Sequence, residues 1–139
     1  MTLPITLLTR KSVMSTVLKS ALILICSQLL AQEAWIAPES ANQMTNPVAK
    51  DATSIKSGSK IFQSMCWTCH GNGGKGDGPA SAGLVPKPGN LTSEQVQAQT
   101  DGALFWKISE GRGPMSSYKT TLSTTQRWQL INYLRTLRQ

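Results

Sequence analysis

Residues 61–80 read IFQSMCWTCHGNGGKGDGPA, and the fold turns on the pentapeptide at their centre, Cys66-Trp67-Thr68-Cys69-His70. On a helix, positions i, i+3 and i+4 share one face. The thiols of Cys66 and Cys69 and the imidazole of His70 therefore converge on one side. Two cysteines two residues apart, with a histidine directly after the second, have the spacing of a c-type haem attachment. The two thiols add to the two vinyl groups of the porphyrin, and the imidazole lies beneath the ring centre and binds the iron. Three other readings of the motif are weaker. A redox dithiol requires a βαβ surround, a structural zinc site requires four ligands, and a disulfide within so small a loop adds little stability.

Upstream, Ile55, Ser59, Phe62, Cys66 and Cys69 recur at three- and four-residue steps, which predicts a helix over 55–69. Gly58 and Ser59 fall on its packing side and are small enough to admit a second helix. Downstream, five glycines in the eight residues 71–78 break that helix. Gly71, Gly73 and Gly76 fit the dinucleotide pattern G-x-G-x-x-G, but that pattern carries meaning only between a strand and a helix. Here it follows a helix and leads to Pro79, so it reads as a tight reversal.

Pro79, Pro86 and Pro88 keep the next stretch irregular. A short helix is expected over about 93–99 and a firmer one over 101–110. Ser123 has Gln126 three residues on, the spacing of a capping box, and opens a last helix to about Leu137. Leu130, Tyr133, Leu134 and Leu137 mark its inner stripe; Arg127, Arg135 and Arg138 are expected on its wet side. No strand pattern and no internal repeat is present. The chain reads as all-α with long loops. Roughly 85 such residues bury a small core, which is marginal alone. A prosthetic group at the centre would complete it.

His70 is the single histidine of the chain, so a second axial ligand must be another residue type. Met44 lies far upstream, and Met65 sits on the attachment helix next to Cys66. Met115 follows a Gly-Arg-Gly-Pro loop, 45 residues beyond His70, and is placed to cross the opposite face of the ring. Its other reading is an ordinary apolar loop residue.

The chain has 139 residues, room for one domain. It carries 14 Lys and Arg against 7 Asp and Glu. Arg10, Lys11 and Lys19 precede an apolar run, Ala21–Ala31, about as long as the hydrophobic part of a signal peptide and too short to span a bilayer as a helix. Residues 1–31 are read as a signal peptide. Retention as an anchor, or a lipid on Cys26, are the alternatives. Without the leader, 11 basic and 7 acidic residues leave +4, too mild for a nucleic-acid binder. Export implies an oxidising compartment, here the periplasm, with the protein soluble or tethered to the membrane. Residues 32–54 hold few large apolar side chains and read as a flexible linker. Residues 55–139 form the folded domain.

With these features together, the chain resembles the class I (monohaem) cytochromes c, in their bacterial small-cytochrome branch, over about residues 55–139. Gly58 and Phe62 match the Gly and aromatic of the family's first helix; Leu130 and Tyr133 match the Leu and aromatic of its last. Gly78-Pro79 resembles the Gly-Pro whose carbonyl holds the proximal histidine, which implies that Pro79 accepts from His70 Nδ1. Family members often have Pro directly after the distal Met, whereas here Pro114 precedes Met115 and Ser116 follows.

The resemblance implies a small cytochrome c fold, three to five short helices with long loops around one covalently bound haem c. It implies His70 and Met115 as iron ligands and one-electron transfer between redox protein partners, with no substrate of its own. A haem subunit of a larger oxidoreductase is the second reading. An open-site enzyme or gas sensor and a haem-free dithiol protein are more distant ones. Phe105, Ile108, Leu122, Trp128 and Leu134 are candidate pocket walls or ordinary core. Arg112 or Trp106 is a candidate partner for a haem propionate. Lys75, Lys87, Lys107 and Lys119 are a candidate ring for steering an acidic partner, or serve solubility.

Overall fold

Four short polar side chains set the helix starts. Asp51 accepts from the Ser54 N–H at 2.7 Å, Ser93 from Val96 at 3.4 Å, Thr100 from Ala103 at 3.0 Å and Ser123 from Gln126 at 3.2 Å. Each satisfies a donor that the first helical turn leaves unpaired. Gln126 returns the bond, its Oε1 accepting from Ser123 N–H at 2.8 Å, so the capping box read at 123–126 is complete. The computed structural model describes residues 34–139, and the leader read at 1–31 lies outside the described residues.

The elements are α1 (Glu39–Asn42), α2 (Ala52–Met65), α3 (Trp67–His70), a 3₁₀ turn (Ser81–Gly83), α4 (Glu94–Gln97), α5 (Asp101–Glu110) and α6 (Thr124–Leu134). No strand forms among the described residues; Arg112 and Met115 make one isolated antiparallel bridge. The all-α class stands. Among the described residues the helices exceed the expected three to five, because one-turn pieces are added and because the first long helix is interrupted at Cys66 (φ −110°, ψ −34°).

The frame is the crossing of α2 over α6. A Cβ at Gly58 would overlap the Gln129 carbonyl oxygen and stand 2.8 Å from Tyr133 Cβ; only hydrogen lets the backbones meet. One turn on, the Phe62 and Tyr133 rings lie 5.3 Å apart at 51°, a tilted aromatic pair. Phe62 and Ile131 are fully buried. α5 completes the core with Leu104, Phe105 and Ile108, and Phe105 stacks on Trp128 at 4.1 Å.

Two expectations fail here. The stretch read as a flexible linker is packed where it is described. Ala37 and Ala41 are buried with Ala103, and Gly102 admits the Ala41 backbone with no room for a side chain. Asn46 donates to Asn132 Oδ1 at 2.9 Å. Asn132 Nδ2 donates to the carbonyls of Val48 and Ala49, each at 3.1 Å, and to Ser54 Oγ at 2.6 Å. Small side chains and buried amides do the fixing, so a count of large apolar residues does not register it. The second concerns the wet side of α6. Arg127 is buried, its guanidinium 4.6 Å over the Phe105 ring and bonded to Ser109 and Thr124. Arg135 binds Asp101 and the carbonyls of Gln97 and Gln99. Arg138 alone is exposed.

Candidate haem-attachment site

The attachment turn is only four residues long, so its carbonyls lack donors within it and need them from the residues that follow. The glycine-rich loop supplies all four. Gly71 N–H donates to Trp67, Ala80 to Thr68, Gly78 to Cys69 and Gly76 to His70, at 2.7–3.1 Å. The loop must fold tightly back over the turn to do this. A Cβ at Gly78 would lie 2.5 Å from the Trp67 carbonyl oxygen, and Gly71, Gly74 and Gly76 have φ of +76°, +73° and +80°, a region that glycine alone enters freely.

The same loop positions the partner of His70. Gly76 packs on the segment 88–89, where a Cβ would overlap the Pro88 carbonyl oxygen and lie 3.3 Å from that of Gly89. Leu91 N–H donates to the Gly74 carbonyl at 2.7 Å. The Gly89 carbonyl thereby comes to 3.1 Å from His70 Nδ1. A carbonyl only accepts, so Nδ1 carries the proton and Nε2 keeps its lone pair for a metal. This corrects the expectation for Pro79. Pro79 is exposed, and its neighbours Gly78 and Ala80 serve the carbonyls of Cys69 and Thr68. The Gly-Pro motif builds the turn; Gly89, ten residues further on, holds the imidazole.

The electrostatics favour a neutral donor set. Burial lowers the His70 pKa, an effect that the Gly89 bond opposes only in part, which favours the neutral imidazole. Burial pushes the Cys66 thiol up to about 12, with Cys69 adding to the effect. Both cysteines are free thiols, half-buried.

Met115 lies in the loop after α5. Gly111, at φ +67°, turns the chain, and Arg112 and Met115 exchange both backbone hydrogen bonds, 3.0 and 2.9 Å. Met115 is half-buried and, with Cys66, Trp67, Leu91 and Tyr118, packs against the main core. Tyr118 is half-buried; burial first, and the charges of Cys66 and Cys69 second, raise its phenol pKa. Its hydroxyl donates to the Met65 carbonyl at 3.3 Å. Neither Gly89 nor Tyr118 carries a signal in the sequence. Gly89 acts through a backbone atom, and Tyr118 is one more aromatic until the loop is closed.

Of the candidate pocket walls, Phe105, Ile108, Leu122, Trp128 and Leu134 are all buried in the main core. Lys119 pairs with Glu110 at 3.1 Å and Lys107 donates to Gln99, so two of the four lysines proposed for steering are engaged within the chain.

These residues fit a c-type haem. Two free thiols and a neutral imidazole with its Nδ1 proton already bound share one helical turn, and apolar side chains around them remain partly uncovered. Among the described residues no group of three or more His, Cys, Asp or Glu gathers as a site for a bare metal ion.

Comparison with known proteins agrees. The family model described as "Cytochrome C oxidase, cbb3-type, subunit III" matches residues 53–134. A solved structure, the Kuenenia stuttgartiensis reducing HAO-like protein complex Kustc0457/Kustc0458, contains a chain similar to this one, with a TM-score of 0.61 and 28% identity. The match covers 67% of this chain and 47% of that chain, so the protein spans about half the length of its structural relative. No curated protein matches the sequence. The glycine-wrapped attachment turn, the all-α frame and a family match over more than half of its length together establish that the chain belongs to the cytochrome c family of the cbb3-type subunit III model, electron-transfer proteins whose cofactor is a c-type haem.

Proposed function

We propose that this chain holds a single haem c through thioether bonds to Cys66 and Cys69, with His70 Nε2 and Met115 as axial ligands, and that it carries single electrons between redox protein partners. The observation that carries the reading is the His70–Gly89 contact, which leaves Nε2 as a lone-pair donor beside two free thiols. When bound, the group supplies a ferric/ferrous couple with the same ligands in both states.

The chain's own residues do the rest. Gly89 fixes the imidazole's tautomer and raises its basicity. The Met115 thioether is a weak donor that favours the ferrous state and raises the potential. Phe62, Leu104, Phe105 and Ile131 keep water from the core beside the site, which also disfavours the more highly charged state.

The leader composition of residues 1–31 supports export to the periplasm, where a thiol pair of this kind would be matured. Among the described residues no helix is long and apolar enough to cross a membrane. A second reading, a haem subunit of a larger oxidoreductase, is favoured by one observation: the structural relative is a chain of a protein complex.

Optical spectra of the exported protein, oxidised and reduced, test the reading. We expect a c-type spectrum, a chain mass raised by one covalent haem, and a reduced form closed to carbon monoxide. A colourless protein from a host able to mature such chains overturns it. Co-purification with a dehydrogenase or oxidase selects the second reading.

A further inference from the structure

The loop that carries Met115 is tied down on two sides by different means. On the α5 side, Ser117 Oγ donates to the Ser109 carbonyl at 2.6 Å. Tyr118 N–H donates to Ile108 at 3.1 Å. The backbone of residues 115–117 fills the space where a Cβ of Gly111 would stand. These contacts anchor the loop to α5, and Arg127 of α6 bonds to Ser109 Oγ and ties α5 to α6 at the same point. On the attachment side, the Tyr118 hydroxyl reaches the carbonyl of Met65, the last residue of α2 and the one before Cys66. One phenol thus spans from the distal loop to the turn that carries the thiols.

We propose that Tyr118 is a positioning residue for the sixth ligand: its hydroxyl, bonded to the Met65 carbonyl, latches the Met115 loop against the attachment turn. The inference rests on the reading of Met115 as that ligand. An outside ligand reaches the sixth position only when the loop is open, so its apparent affinity scales with the open fraction. The latch lowers that fraction. Removing one hydrogen bond of ordinary net strength changes it about fivefold.

The test uses the ferric holoprotein as wild type, Tyr118→Phe and Met115→Ala, titrated with imidazole. Loss of the thioether-to-iron charge-transfer band is followed, and the urea midpoint is measured alongside. Tyr118→Phe keeps the ring and its packing, so covalent haem and the starting spectrum should be retained while imidazole binds about fivefold more tightly. Tyr118→Leu, which also loses the ring, should bind it more tightly still. If Tyr118→Phe binds imidazole as the wild type does while Met115→Ala has an open site, the latch is refuted and the ligand reading stands. A lowered urea midpoint with unchanged imidazole affinity also refutes it, since Tyr118 would then serve packing alone. If Met115→Ala has the wild-type spectrum, Met115 is not the ligand and the latch falls with it.

Discussion

His70 Nδ1 lies 3.1 Å from the carbonyl oxygen of Gly89, across 19 residues of chain. The contact exists because Gly76 lacks a side chain. At φ +80° and pressed on the Pro88 carbonyl, Gly76 is the point where the attachment loop and the 88–91 segment touch.

Gly76→Ala should therefore act on iron chemistry as well as on stability. The left-handed backbone and the overlap together cost about 3 kcal/mol, read as a lowered urea midpoint. Pushing Gly89 away weakens its bond to Nδ1–H, makes the imidazole a poorer donor to ferric iron, and should raise the reduction potential. Gly73→Ala is the control: nothing lies within 4 Å of its added Cβ, and both readings should stay near wild type. Equal effects of the two substitutions would show that Gly76 has no special contact.

Met115→Ala should open the sixth position. The reduced protein should then bind carbon monoxide at neutral pH, and the potential should fall as the thioether's preference for ferrous iron is lost. A variant that stays closed to carbon monoxide at an unchanged potential would assign the ligand to another residue.

Gly58→Ala should loosen the helix crossing on which the site is built. The new methyl meets the Gln129 backbone, which cannot rotate away as a flexible side chain would. Overpacking of this kind costs about 1–3 kcal/mol. Thermal unfolding followed by far-ultraviolet circular dichroism measures it; an unchanged midpoint would mean that α2 and α6 can separate at little cost.

Asn132→Leu should release the N-terminal segment. Asn132 is buried at 2% exposure and bonds to Asn46, Val48, Ala49 and Ser54. Its loss leaves the buried Ser54 hydroxyl without this partner, at about 1–3 kcal/mol for a buried group left unsatisfied, and frees the less buried Asn46 amide and the Val48 and Ala49 carbonyls. Limited proteolysis should cut within residues 43–51 faster than in the wild type. Resistance equal to wild type would mean that the alanine contacts at Ala37 and Ala41 hold the segment unaided.

The sequence by itself determined what short-range geometry controls. The i, i+3, i+4 spacing of Cys66, Cys69 and His70 brings two thiols and one imidazole together on a single turn. Ser123 and Gln126 cap each other across three residues. Asp101–Glu110 is helical at both ends as its composition predicts, and Gly58 with Phe62 marks the face that meets α6. Tertiary structure alone decided the rest. Gly89 rather than Pro79 holds His70, because a backbone carbonyl leaves no trace in residue type and any loop residue can offer one. Arg127 is buried because Phe105 and Ser109 of α5 receive it; its place three before Leu130 and four before Ile131 is on the inner face, and only its charge suggested the wet side. Residues 37–54 are fixed by alanines and asparagines whose partners lie up to 86 positions away. Such bonds depend on which segments folding brings together, and that depends on the whole chain at once.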